Sequence, residues 1–208
     1  MRLIPVLGLE QNPTVGRREQ FALYILSLAA IFVRLKDIGA PLSGVHLFRM
    51  TQTAWGIRSF TEGNYSPFNI QMPVLGPPWK VPFEFPLYQI IAGSVSKIFE
   101  FSVETSGRSV SILFFIATGL AIYFLCRLFF AAHASLIALA IFFFNGFNME
   151  YGSAVLIDYC AVFFCLGALL ALLKFLSLRG KPTFMVFVSL ATLGALVKIT
   201  TSIVWVGL

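Results

Sequence analysis

Apolar residues in this chain come in long unbroken runs rather than in strand-like alternation. Five runs stand out, at about 21–35, 109–130, 134–147, 154–176 and 183–208, the last opening just after Pro182. Stretches such as Phe142, Phe143 and Phe144, or Phe163 and Phe164, are apolar on every side, which predicts helices in an apolar surrounding rather than half-wet surface helices. The runs at 21–35 and 134–147 fall short of the roughly 20 residues a bilayer needs, so their ends must borrow flanking residues. The pattern predicts an all-α, polytopic membrane helix bundle.

Between the first two runs the pattern changes. Over about 36–108 apolar positions recur at three- and four-residue steps. In 46–60, Leu47, Met50, Ala54 and Ile57 share one face, and His46, Arg49, Gln52 and Thr53 another. In 86–100, Leu87, Ile91, Val95 and Ile98 form a stripe opposed by Gln89, Ser96 and Lys97. Both stretches read as amphipathic helices lying in the membrane interface; the second reads alternatively as a short or re-entrant span. Pro67, Pro73, Pro77, Pro78 and Pro82 predict a stiff, irregular connection between them.

Composition agrees: 58% of residues are hydrophobic and 12% charged, against about one-quarter charged in soluble domains. The net charge of +6 is scattered along the chain, which argues against nucleic acid as a partner and for a topological signal. Arg17 and Arg18, then Arg127 and His133, then Lys174, Arg179 and Lys181 all fall on one side if the runs alternate. Basic short loops favour the cytoplasm, so the N-terminus is predicted inside a cytoplasmic (plasma) membrane and 36–108 outside. Residues 1–12 do not read as a cleaved signal peptide, and the apolar end at Leu208 reads as part of a longer protein. Cys126, Cys160 and Cys165 lack metal-ligand spacing, and no phosphate-loop, dinucleotide or His-Glu zinc signature occurs.

Charges in or beside apolar runs cost free energy and are therefore candidates for chemistry. Asp158 lies near the start of the fourth run, where a helix N-terminus also favours a negative charge. Lys198 lies inside the fifth, beside Thr200 and Thr201; it reads either as a snorkelling lysine or as an anion partner. Arg108 opens the second run, as an interface anchor or a phosphate ligand. Glu84, between Phe83 and Phe85, reads either as a desolvated carboxyl able to act as a general base or as a carboxylate pointing at water from a loop. His46, Arg49, Gln52 and Arg58 stand on the first loop helix. Together these groups suit a reaction on a phosphorylated lipid, but composition and spacing equally allow a transporter or channel pathway, or a non-catalytic scaffold. A divalent metal shared by Glu84, Asp158 and His46 is left open, since their spacing carries no signature of one.

The order of these features resembles the N-terminal part of the GT-C glycosyltransferases, near the dolichyl-phosphate-mannose protein mannosyltransferases and lipid A aminoarabinose transferases. The run from Phe48 to Ala54 is similar to a family loop motif Trp-Arg-Gln-x-Asp-Thr-Ala, and that from Trp55 to Phe60 to the Ile-Ala-Arg-Asn-Phe that follows it. Glu84 to Gln89 resembles a Pro-Leu-Tyr stretch, and Gly107-Arg108-Ser109 the opening of the next span. Asp158 and Lys198 stand where the family carries an acid and a lysine. The resemblance implies transfer of a sugar from a polyprenyl-phosphate donor to a lipid, glycan or protein hydroxyl at the outer membrane face. It implies a phosphate held by Arg49, Arg108 and Lys198, with Glu84 or Asp158 as base or acceptor-positioning group, and His46 and Arg58 in secondary places. Gln52 stands where the family has its loop aspartate, so either a neighbouring acid such as Glu84 or Asp37 serves instead or this subgroup uses a different arrangement.

Overall fold

The computed structural model describes residues 15–63, 72, 76 and 84–203. Among these residues the fold is all helical. In chain order the helices are α1 (Arg17–Leu35), α2 (Leu47–Thr61), α3 (Leu87–Phe99), α4 (Val103–Arg127), α5 (Ala132–Phe144), α6 (Gly146–Tyr151), α7 (Asp158–Leu178) and α8 (Lys181–Val197), with a 3-10 turn at Ile199–Ser202. A helix lies in each of the five apolar runs and in both amphipathic stretches. The proline-rich connection lies outside the described residues, Met72 and Gly76 apart.

Two of the helices, α4 and α7, are long and apolar enough to cross a membrane. At about 1.5 Å per residue, α4 is about 37 Å long, and its first turns precede the apolar run. It begins at Val103 because Ser102 caps it, accepting from the Thr105 N–H at 3.2 Å, with Glu104 in the first turn. Hydropathy marks where lipid-like sequence begins; the cap marks where the helix begins. The run at 134–147 is broken at Asn145, whose side chain accepts from the Asn148 N–H and starts α6. The run at 183–208 is interrupted at Lys198, which is extended and ends α8. The run at 154–176 becomes helical only at Asp158.

Helix α4 is the hub. Phe114 on one side joins a core of Ala54, Ile57, Tyr88, Ala92, Cys160 and Phe164, drawn from α2, α3 and α7. Phe115 on the other joins Ala30, Tyr123, Leu139 and Phe143, tying in α1 and α5. One buried polar network joins these helices: the Tyr88 hydroxyl donates to the Gly107 carbonyl at 2.7 Å and lies 2.8 Å from Ser111 Oγ, which donates to the Ala154 carbonyl. Burial pushes the Tyr88 phenol well above its ordinary range.

The stripe expected on α3 is half-buried, with Leu87, Ile91 and Val95 packed against the core, and the most deeply buried face lies beside it. Gln89, Ala92, Gly93 and Ser96 are buried, while Ile98 is 72% exposed. The reason is close packing against α2. A Cβ on Gly93 would lie 2.5 Å from the Phe60 ring, and one on Gly56 3.0 Å from Gln89 Cγ. Where the outer medium is itself apolar, small residues face the neighbouring helix and large aliphatic ones face outward. Large apolar side chains at Phe21, Tyr24, Phe32, Ile137, Ile141 and Met185 are exposed in the same manner.

Candidate active site

The site forms where three separated segments meet. Helix α8 unwinds after Val197, and the Phe85 N–H donates to the Leu196 carbonyl at 3.0 Å, pinning the Glu84 segment onto the end of α8. The extended backbone at Lys198 turns its side chain toward the first residue of α7, and Nζ donates to Asp158 Oδ1 at 2.6 Å. Both partners stay partly open, at 25% and 37% side-chain exposure. The turn that follows is locked by Thr201, whose N–H and hydroxyl both donate to the Lys198 carbonyl. An acid at a helix N-terminus is favoured by the helix dipole; a lysine left alone in an apolar run would cost roughly 2.5–3.5 kcal/mol. The pair relieves that cost while remaining reachable.

Around the pair lies a chain of cavities. The smallest, about 30 Å³, is lined by Arg49, Gln52, Thr53, Glu84, Gln89 and Asp158, with Leu156 and Ile157 at its floor. That volume admits one or two waters or a single hydroxyl group. It adjoins, through Arg49, Leu156 and Asp158, a mostly apolar cavity of about 320 Å³ that adds His46, Phe147, Tyr151, Tyr159 and Val162. Through His46, Tyr151 and Leu156 this adjoins a more polar one of about 250 Å³, bordered by Asp37, Arg108 and Glu150 among others. Either of the larger two approaches the size of an ordinary small-molecule site.

The structure therefore brings Arg49, Gln52, Glu84 and Asp158 to one small cavity, with Lys198 joined to them through its bond to Asp158 and His46 at the junction of the larger cavities. Glu84 is exposed and has no ion-pair partner among the described residues. Arg108 borders the polar cavity, but its guanidinium is committed elsewhere. Nη1 donates to the Ile38 and Ala40 carbonyls and Nη2 to the Pro41 carbonyl at 3.0 Å, so it braces the chain leading into α2. Arg58 lies apart, donating to Glu62 at 2.8 Å on an exposed face and bordering a separate pocket with Trp55 and Glu104. Among the described residues no three His, Cys, Asp or Glu side chains cluster closely enough to hold a metal.

Sequence reasoning missed the aromatic wall. Phe147 and Tyr151 stack at 4.1 Å between ring centroids, and His46 meets Tyr151 edge-on at 5.2 Å. It also missed Glu150 and Gln89. The one available signal was the break in apolar character at 145–153, which reads as a plain loop until Asn145 is seen to cap a helix.

The arrangement offers carboxylates and cations close together beside room for a ring-sized group. A family model described as Dolichyl-phosphate-mannose-protein mannosyltransferase matches residues 80–208, more than half of the chain. Glu84, Arg108, Asp158 and Lys198 lie inside that match; His46, Arg49 and Gln52 precede it. No curated protein and no solved structure matches the chain.

Proposed function

The chain belongs to the dolichyl-phosphate-mannose-protein mannosyltransferase family, a family of membrane glycosyltransferases of the GT-C type, and on that premise we propose that it moves a sugar from a polyprenyl-phosphate donor to a hydroxyl of a lipid, glycan or protein acceptor at the outer face of a plasma membrane. The observation that carries the reading is the half-open Asp158–Lys198 pair in one cluster with Glu84 and Arg49.

In this reading Lys198 and Arg49 hold the donor phosphate, and Asp158 aims Lys198. Glu84, which has no ion-pair partner among the described residues, takes the proton from the acceptor hydroxyl. The freed oxygen attacks the anomeric carbon from the face opposite the phosphate. The bond from that carbon to the phosphate oxygen breaks, and polyprenyl phosphate leaves with the electron pair and gains the charge that Lys198 and Arg49 balance. The product is inverted. The small cavity has room for the acceptor oxygen, and the larger ones for the sugar. Gln52, unable to take a proton, acts as a hydrogen-bonding neighbour.

The spans are read as crossing the bilayer several times with the N-terminus in the cytoplasm. The Glu19–Arg127 ion pair supports that order, since it joins the start of α1 to the end of α4 at the arginine-rich side. The test uses the protein in nanodiscs with a panel of radiolabelled polyprenyl-phosphate sugars, wild type beside Glu84→Gln. Transfer or donor hydrolysis that is lost in the variant is the expected result. No binding of any donor would overturn the reading in favour of a transport role, and binding with no turnover in wild type would leave a scaffold.

A further inference from the structure

Arg34, in the last turn of α1, is 3% exposed and borders none of the three cavities. Among the described residues no carboxylate pairs with it. Its guanidinium lies over the Phe115 ring, 4.0 Å from the centroid. Nη1 donates to the Ala30 carbonyl at 2.8 Å, and Nη2 to the Phe143 and Asn148 carbonyls at 2.7 and 2.8 Å. Nε is buried without a partner and abuts Gly152, where a Cβ would collide with Nε and lie 3.1 Å from Cζ. Burying a cation without a counter-ion is costly, and an apolar side chain would fill this space at less cost. What the guanidinium adds is direction, because its planar fork reaches carbonyls of two segments at once.

Those carbonyls belong to the corner between α5 and α6. Phe143 is in the last turn of α5, where carbonyls lack helical partners. Asn148 is the fastening point of α6: its Nδ2 donates to the Phe142 carbonyl at 2.6 Å and its Oδ1 accepts from the Tyr159 hydroxyl at 2.5 Å. A helix of six residues has no stability of its own, so these bonds set where it stands. Its opposite side is the cavity wall. Phe147 and Tyr151 face the apolar cavity, and Met149, Glu150 and Tyr151 the polar one.

We propose that Arg34 is a positioning residue for substrate recognition: through the Phe143 and Asn148 carbonyls it sets the α6 wall, and the stacked Phe147–Tyr151 pair on that wall seats the sugar ring of the donor. The proposal rests on the glycosyltransferase reading. Aromatic faces suit the C–H faces of a sugar ring, and Phe147, 64% exposed, offers one. The wall contributes to binding, whereas Glu84, Asp158 and Lys198 contribute to the chemical step, so the two are separable in kinetics.

The experiment measures KM and kcat for a polyprenyl-phosphate sugar that wild type transfers, with melting temperature in parallel, for Arg34→Lys, Gly152→Ala and Phe147→Ala. An ammonium cannot serve both carbonyls in one plane, and the alanine methyl displaces the guanidinium from the other side. Each variant is expected to raise KM about tenfold with kcat within about twofold, the signature of lost uniform binding. Phe147→Ala, at an exposed rim, does so without a change in melting temperature. If Arg34→Lys does not fold, Gly152→Ala and Phe147→Ala decide. Wild-type KM in Gly152→Ala or Phe147→Ala overturns the proposal, as does a loss confined to kcat. Absence of transfer by wild type removes the glycosyltransferase reading itself, a result distinct from either.

Discussion

Among the described residues two ion pairs join distant helices, one at each end, and they differ in how they are closed. At the arginine-rich end, Glu19 accepts from Arg127 Nε at 2.7 Å, from the Tyr123 hydroxyl and from the Gly16 N–H at 3.2 Å, with both charged side chains at about one-tenth exposure. Every oxygen is spoken for, and none of the three partners borders the cavities described above. At the other end the Asp158–Lys198 pair has a single bond, is about one-third open, and its Asp158 lines a cavity. A saturated pair can only hold helices together. An unsaturated one keeps capacity for a further ligand, and the contrast is what separates a clamp from a site in a chain where both look alike as charges in apolar sequence.

The sharpest way to break the comparison is Lys198→Ala. Removing a charge that stabilises a leaving phosphate is expected to lower kcat by about 10²–10³ while melting temperature barely moves. Radiolabelled transfer at the wild-type rate would reduce the open pair to a second clamp. Next in size is the contrast of Glu84→Gln with Asp158→Asn. Loss of a general base costs roughly 10²–10⁴, so Glu84→Gln should fall in that range. Asp158→Asn, which frees Lys198 without removing it, should cost less and raise donor KM. The reverse ranking would move the base to Asp158.

The clamp is tested by pH. Burial by itself raises the Glu19 pKa, but the hydrogen bonds from Tyr123, Arg127 and Gly16 outweigh it and hold the carboxyl below its ordinary value of 4.5. A carboxyl with a depressed folded-state pKa stabilises the fold above its unfolded value and loses that contribution as pH falls through the folded one. Melting temperature should therefore fall on acidification below about pH 4.5, and Glu19→Gln should be less stable at neutral pH and flatter over that window. A loss on the order of 1–3 kcal/mol, or several degrees, is expected at neutral pH. Identical acid profiles for the two proteins would show that the clamp contributes nothing.

How much of this was legible depended on what each residue's partner was. Runs without polar interruption announced the helices, and charges stranded in them singled out Asp158 and Lys198, which the fold then pairs, while Glu84 was singled out by its aromatic neighbours in the loop. Partners that are backbone carbonyls left no trace. Arg108 read as an interface anchor or a phosphate ligand because Ile38, Ala40 and Pro41, some seventy residues earlier, offer it only main-chain oxygens. Arg34 drew no reading at all for the same reason. On α3 the wheel found the stripe, of which Leu87, Ile91 and Val95 pack against the core, but not the small face beside it that is buried more deeply. Gly93 against Phe60 and Gly56 against Gln89 show that here the small face is the more closely packed one.

Arg58 supplies the smallest effect and closes the comparison from the other side. It is a charge on the same helix as Arg49, about two and a half turns along, and the family-like stretch from Trp55 to Phe60 drew attention to it. Its partner is Glu62, one turn away on its own helix, with side-chain exposures of 64% and 50%. Hydrogen bonding and proximity to that carboxylate raise its pKa, so it stays a cation, but a solvated one among water-screened neighbours. Charge alone therefore predicts a role and geometry denies one. Arg58→Ala is expected to keep transfer within about twofold of wild type, as exposed pairs usually do, and to leave the melting curve unchanged. A loss comparable to that of Lys198→Ala would mean that substrate reaches the outer face of α2, and that the pocket beside Trp55 and Glu104 belongs to the site.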